Sequence, residues 1–124
     1  MSLFRKLLGQ KGEDRAAHFL AGQGYKILER NYRTRAGEID LIALHEGMVV
    51  FVEVKTRTSS LFGAPELAVT PRKQQRMAKA ALGYLRSRKL YQMPCRFDVV
   101  AINAAAEREL ELIQNAFEMD RTYL

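Results

Sequence analysis

The stretch from Gly37 to Arg57, GEIDLIALHEGMVVFVEVKTR, constrains the fold more than any other part of the chain. Two alternating apolar runs flank a short polar break, the pattern of two β-strands joined as a hairpin. Alternate residues of a strand share a face. Glu38, Asp40, Ile42 and Leu44 share one, and Val49, Phe51, Glu53 and Lys55 share one on the next strand. Whether the loop is Glu46-Gly47 or His45 to Met48, Leu44 falls opposite Val49. Counting back sets Ile42 against Phe51, Asp40 against Glu53 and Glu38 against Lys55. An odd loop would slide every pair by one and set the charges against valines. The even register is therefore expected, with an apolar end at the turn and a charged open end.

That register sets two carboxylates side by side, an arrangement that destabilises a sheet. Two such charges a few Å apart repel by roughly 1 to 4 kcal/mol, depending on the local dielectric. A divalent cation between them removes the repulsion, and a hard oxygen site of this kind suits Mg²⁺ or Mn²⁺. The backbone carbonyl of Val54 could add an oxygen. Lys55, one step beyond, could hold a phosphate oxygen or position an attacking hydroxide. The alternative is a structural ion-pair ladder, Glu38 with Lys55, on a solvated strand end. The apolar Ile42 and Phe51 on the same face favour the metal reading.

Elsewhere the pattern is helical from about Gln10 to Gly24, with Ala16, Ala17, Phe19 and Leu20 at helix spacing. YKILERNYRT reads as a strand, and TSSLFGAPELAVTP as a loop or lid. Thr70 and Pro71 suit an N-cap and first helical position. They open a second helix, RKQQRMAKAALGYLRSRKL. RFDVVAINA and RELELIQNAF close the chain as strands, with AAERE as their turn. The order α-β-β-β-α-β-β predicts an α/β domain on a mixed sheet of about five strands flanked by helices. The 124 residues fit one domain spanning 1–124, and 48% hydrophobic residues suffice for a core. The sequence contains no apolar run of about 18 residues, so no membrane span is expected. The interrupted N-terminal leucines do not make a signal peptide. The lone Cys95 fits a reducing compartment. A cytoplasmic protein is the expectation.

Charge is uneven. Residues 1–96 carry a balance of +10 and residues 97–124 a balance of −4. A basic body suggests a polyanionic partner. Arg72, Arg76, Lys79 and Arg86 form one stripe of the second helix, opposite Met77, Ala81, Tyr84 and Leu85. Arg30, Arg33, Arg35 and Arg57 flank the strand ends. A basic stripe beside a carboxylate cleft is what a phosphodiester backbone requires, although a single amphipathic helix commonly has a solvated charged face. On the first helix Glu13 shares the face of Ala16, Ala17 and Leu20. It either joins the acidic cluster or serves the helix dipole as a first-turn carboxylate. Gln74 lies on the core side of the second helix and could reach the site.

Other chemistries lack their residues: there is no Ser-His-Asp signature, GxGxxG motif or P-loop. His18 and His45 read as surface or packing residues, Cys95 as buried and inert, and Tyr25, Tyr32, Phe62 and Phe97 as packing.

Asp40 followed by Glu53-Val54-Lys55, within GEIDLIA and FVEVKTR, strongly resembles the PD-(D/E)xK nuclease motif. More closely, the chain resembles the YraN-type (UPF0102) bacterial family of uncharacterised, predicted endonuclease-like proteins, itself similar to archaeal Holliday junction resolvases. The likeness runs from KGEDRAAHFLAGQGY through RNYRTRAGEIDLIA, FVEVKTR, FGAPELAV and RKQQR to RFDVVAI. It implies a restriction-endonuclease-like fold with Glu13, Asp40, Glu53 and Lys55 as the site. The proline that often precedes the motif aspartate is replaced here by Ile39. The expected activity is metal-dependent hydrolysis of phosphodiester bonds in structured or damaged DNA. Asp40 and Glu53 would ligate Mg²⁺ or Mn²⁺, with Lys55 stabilising developing charge and Glu13 holding a second metal or its water. Arg33, Arg35, Arg57, Arg72, Arg76 and Lys79 are the expected nucleic-acid contacts, and a homodimer is a candidate assembly. The competing expectation is a non-catalytic nucleic-acid-binding module on the same fold.

Overall fold

A computed structural model describes residues 3–57, 69–103 and 110–118. The elements are α1 (Leu3–Gly22), β1 (Lys26–Arg33), β2 (Glu38–His45), β3 (Met48–Arg57), α2 (Pro71–Ser87), β4 (Cys95–Asn103) and β5 (Leu110–Phe117). The expected lid, Phe62 and the β4–β5 turn lie outside the described residues.

The strands form one sheet in the order β1-β2-β3-β4-β5. β1, β2 and β3 are an antiparallel meander, β4 runs parallel to β3 after the α2 crossover, and β5 returns antiparallel. This is the mixed five-stranded, helix-flanked α/β architecture of the restriction-endonuclease-like fold.

The hairpin has the expected register. Glu46 and Gly47 form the two-residue turn with φ of 51° and 77°, the sign that a primed turn requires. His45 pairs with Met48, Leu44 with Val49 and Ile42 with Phe51. Alternation then divides β3 between two cores. Val49 and Phe51 pack with Met77, Ala81, Tyr84 and Leu85 of α2. Val50 and Val52 pack with Ala16 and Leu20 of α1 on the other face. Burying one such side chain completely contributes about 1.5–3 kcal/mol, so a strand apolar on both sides needs a helix over each.

α1 begins at Leu3, seven residues before the expected Gln10. Gly9 and Gly12 are poor helix formers and hid its first turns. Gly12 is buried, and a Cβ there would lie 2.3 Å from Thr56 Oγ1. Its bare backbone lets the helix close onto the end of β3, and Glu13 is its neighbour. Gly37 plays the same part on the opposite face, where a Cβ would meet the Arg76 carbonyl oxygen at 2.7 Å. α2 begins as expected: Thr70 is the N-cap, its hydroxyl accepting from the Lys73 N–H at 3.2 Å, and Pro71 follows. Arg72, Arg76, Lys79 and Arg86 are the helix's expected outer stripe, and Arg72, Lys79 and Arg86 are exposed, with Arg76 beside them. Among the described residues no helix is long and apolar enough to cross a membrane.

Candidate functional site

β2 and β3 pair from the turn only as far as Leu41 and Val52. At Asp40 the chains part. The alternation of β2 slips there as well: Ile39 and Ile42 pack with the α2-side core, whereas Leu41 and Ala43 pack with the α1-side core. In place of a ladder bond, the Asp40 carboxylate accepts the Val54 N–H at 2.8 Å. A strand residue sends its N–H and C=O to the same edge, so the Val54 carbonyl also faces this opening.

Glu53 shares the side of Phe51 and Val49 and is 6% exposed. Lys73 reaches it from the first turn of α2, its Nζ donating to Glu53 Oε1 at 2.8 Å. The Glu53 carboxyl is nevertheless pushed up to about 8, first by burial and then by the charge of Asp40, with Lys73 opposing both. Glu13 is raised by the same two causes in the same order, burial and Asp40, and Asn31 opposes them. Asp40 thus presses on a carboxyl group from α1 and on one from β3. The three groups together demand positive charge, whether from a proton, an ammonium group or a metal ion.

Three of the four expected site residues, Glu13, Asp40 and Glu53, come together electrostatically. Lys55 is exposed beyond them on β3, and the ammonium paired with Glu53 is that of Lys73. The expected Glu38–Lys55 pairing is not formed. Glu38 instead pairs with Arg33 across β1 and β2, and the Arg33 Nε lies 3.6 Å from its carboxylate. The strands have already separated at Asp40, so no ladder carries Glu38 to Lys55. Gln74 does not reach the cluster; its amide donates to the Val69 carbonyl at 2.9 Å. Arg33 and Arg35 are exposed on the β1–β2 side, and Arg57 is half-buried at the end of β3.

Lys73 is the residue that sequence reasoning missed, although a signal existed. Thr70 and Pro71 fix the start of α2, which makes Lys73 the third helical residue. A cation in the first turn opposes the helix dipole, so its presence there asks for a carboxylate partner.

Beside this ion pair lies a cavity of about 450 Å³ lined by Glu38, Thr70, Arg72, Lys73, Arg76 and Met77. Two of the expected phosphate contacts, Arg72 and Arg76, therefore share a cavity with Lys73, the partner of Glu53. Lys79 is exposed one turn further along. Among the described residues no group of three His, Cys, Asp or Glu side chains is disposed to close around a metal ion. The donor chemistry nonetheless fits a hard divalent cation: Asp40 presses on both Glu13 and Glu53, so carboxylate oxygens neighbour one another where negative charge is under-compensated. One oxygen of Asp40 is held by the Val54 N–H and one of Glu53 by Lys73.

A second polar cluster lies at the far end of β2. Asp98 is fully buried. It accepts from Arg96 Nε at 2.8 Å, from the Tyr25 hydroxyl at 2.8 Å and from the Asn115 N–H at 2.9 Å. The Tyr25 hydroxyl accepts in turn from Arg96 and Gln114, both at 2.9 Å. His45 stacks on the Tyr25 ring at 4.0 Å, its Nδ1 3.0 Å from the Arg96 guanidinium. The packing role expected of His45 and Tyr25 is what the structure displays, and His18 is exposed. Cys95, expected to be buried, is half-buried instead, because it is the first residue of β4 and follows the exposed Pro94.

The model of the uncharacterised protein family UPF0102 matches residues 12–102, from the Gly12–Glu13 step of α1 to the end of β4. A UPF0102 protein of Geobacter metallireducens is 49% identical over 120 residues, covering 96% of this chain and 98% of that protein. One from Syntrophus aciditrophicus is 50% identical over 112 residues, 90% of this chain and 88% of that one. One from Chlorobaculum parvum is 49% identical over 117 residues, 89% of this chain and 91% of that one. The matched span holds every residue of the acidic cluster and of the cavity beside it, and the chain belongs to the UPF0102 family, the YraN-type family its motifs resemble.

Proposed function

We propose that the chain is a divalent-metal-dependent endonuclease that hydrolyses phosphodiester bonds in structured or damaged DNA. The observation that carries this reading is Asp40. It sits where β2 and β3 part, is anchored by the Val54 N–H, and loads Glu13 and Glu53 with unfavourable negative charge. A fold gives up stability in this way at sites that act on a ligand. Asp40 and Glu53, with the Val54 carbonyl, would hold Mg²⁺ or Mn²⁺, and Glu13 would hold a second ion or an ordered water. Such an ion supplies Lewis acidity, withdrawing charge from the scissile phosphate and acidifying water. Lys55, exposed at the rim, would stabilise the charge that develops on the phosphate oxygens. Arg72 and Arg76 in the cavity wall, with Lys79, Arg33, Arg35 and Arg57 around it, would hold the backbone on either side.

A second reading, a nucleic-acid-binding module with an unused site, draws on two facts. Among the described residues no three ligands close a shell as they stand, and an ammonium group already sits on Glu53. One experiment separates the two. Branched, single-stranded and duplex DNA are incubated with the protein in Mg²⁺, Mn²⁺ or EDTA. The nuclease reading expects metal-dependent cleavage that Asp40→Asn abolishes while DNA affinity in EDTA is kept. Binding without cleavage of any substrate supports the module.

A further inference from the structure

Lys73 is held at two levels. Its backbone is fixed in the first turn of α2, where its N–H donates to the Thr70 hydroxyl. Its ammonium ends a flexible four-carbon stem and lies between two different surroundings. On one side is the buried Glu53 carboxylate, 2.8 Å away. On the other is the cavity of about 450 Å³, whose wall includes Arg72, Arg76 and the Thr70 side chain. The Lys73 side chain is 41% exposed while that of Glu53 is 7% exposed, so the lysine can leave and the glutamate cannot. A rotation of its side chain alone would carry the charge from carboxylate to cavity, with no change in α2.

We propose that Lys73 is an electrostatic latch between the acidic cluster and the phosphate cavity. In the metal-free protein its ammonium group donates to Glu53 Oε1. When a divalent cation takes the Glu53 oxygen, the ammonium group turns into the cavity beside Arg72 and Arg76 and binds a phosphate of the nucleic acid. This rests on the metal-dependent reading above. Lys73 holds only the Oε1 oxygen of Glu53, and a divalent cation arriving on the same carboxylate would repel the ammonium group a few Å away and weaken its hold. Lys73 already lines the cavity together with Arg72, Arg76 and Glu38, and the displacement frees its charge for a phosphate there only when the metal is in place. Metal and nucleic acid then bind cooperatively, and the coupling is reciprocal. Lys73 is a positioning and binding residue here, distinct from Lys55 at the rim.

The test compares wild type with Lys73→Met, which keeps most of the length of the stem and removes its charge. Affinity for a short DNA duplex is followed by fluorescence anisotropy across a salt series, once in EDTA and once in a fixed low concentration of Mn²⁺, with the duplex verified intact by gel. In EDTA the two proteins should give the same slope of log affinity against log salt, because Lys73 is engaged with Glu53. In Mn²⁺ the wild-type slope should be steeper by about 0.9, the value for one phosphate neutralised on duplex DNA. Calorimetry on the protein alone should show that Lys73→Met still binds Mn²⁺. Equal slopes in Mn²⁺, a shallower variant slope already in EDTA, or failure of a folded variant to bind Mn²⁺ would each overturn the latch. Failure of the wild type to bind Mn²⁺ overturns the metal reading itself, and the latch with it. A measurement on the wild type alone guards against a variant that does not fold. By NMR, one lysine ammonium signal should be protected from exchange in EDTA and lose that protection in saturating Mg²⁺; its persistence in Mg²⁺ refutes the proposal.

Discussion

The two ends of β2 each lie beside a buried carboxylate, and they treat it in opposite ways. Near the hairpin turn, Asp98 faces the Arg96 guanidinium, the Tyr25 hydroxyl and the Asn115 N–H. Its neighbours are donors, and burial keeps the Tyr25 phenol above its ordinary range so that it stays one of them. At the open end, Glu53 faces another carboxylate and one half-exposed lysine. The first arrangement is closed: each hydrogen-bonding group has its partner, and nothing remains for a ligand to satisfy. The second is left short of positive charge. Burial does not distinguish the two carboxylates, and neither does a cation 2.8 Å away, which both have; the second carboxylate pressing on Glu53 does.

The contrast is broken most severely at Asp98. Asp98→Ala would leave the Arg96 guanidinium, 11% exposed, without its carboxylate and the part-buried Asn115 N–H without its acceptor, and removal of one partner from a buried pair costs about 3–5 kcal/mol. A large fall in melting temperature by circular dichroism is expected; a change no larger than at an exposed position would show that the cluster is not structural.

The next effect is one of pH. Glu53 titrates at about 8 in the folded protein against an ordinary value of 4.5. Between those values the folded state holds a proton that the unfolded state has released. Stability should therefore fall by a few kcal/mol at most as pH rises from about 4.5 to about 8, and level off above. Glu13, also raised, adds in the same direction. Urea unfolding at pH 5, 6.5 and 8.5 measures the slope, and Glu53→Gln should flatten it. A variant with the wild-type slope would place the titrating group elsewhere.

A smaller effect is expected at Asp40. Asp40→Asn keeps an oxygen for the Val54 N–H and removes the charge that presses on Glu13 and Glu53. The metal-free variant should match the wild type or exceed it by up to about 1 kcal/mol, while calorimetric Mn²⁺ binding disappears. A clear fall in stability would make the acidic cluster structural, like its counterpart at Asp98.

The least effect on folding is expected on the outer stripe of α2. Arg72, Arg76 and Lys79 lie outside both cores, and replacing all three by Ala should change stability by about 0.5 kcal/mol or less. DNA affinity should nonetheless weaken, with a salt slope shallower by about 0.9 for each phosphate of the duplex left without its cation. Unchanged affinity would move the nucleic acid to Arg33, Arg35 and Arg57.

What could be read in advance follows the range of the interactions. The hairpin register was legible because a two-residue turn and a period of two determine it locally. The start of α2 was legible from Thr70-Pro71, and its buried face from Met77, Ala81, Tyr84 and Leu85. Asp40 and Glu53 could be brought together because they lie on the same hairpin. Lys73 escaped because it comes to Glu53 across the crossover, 20 residues along the chain, and no strand periodicity reveals such a pairing. The Asp98 cluster escaped for the same reason: Tyr25 and Asp98 are 73 residues apart. The early start of α1 was obscured by two glycines that are poor helix formers, of which Gly12 serves packing most plainly.

The parallel pairing of β3 with β4 has a kinetic consequence. The meander from β1 to β3 closes through short turns, whereas Val49 meets Cys95 only after the α2 crossover is complete. Local loops close early and distant ones late. The hairpin that juxtaposes Asp40 and Glu53 is therefore expected to form before α2 delivers Lys73 over it. For that interval the nascent sheet holds its acids together with no lysine to offset them. Protons or divalent ions in the refolding medium should accordingly speed the step that closes the hairpin, and leave the later docking of α2 largely unchanged.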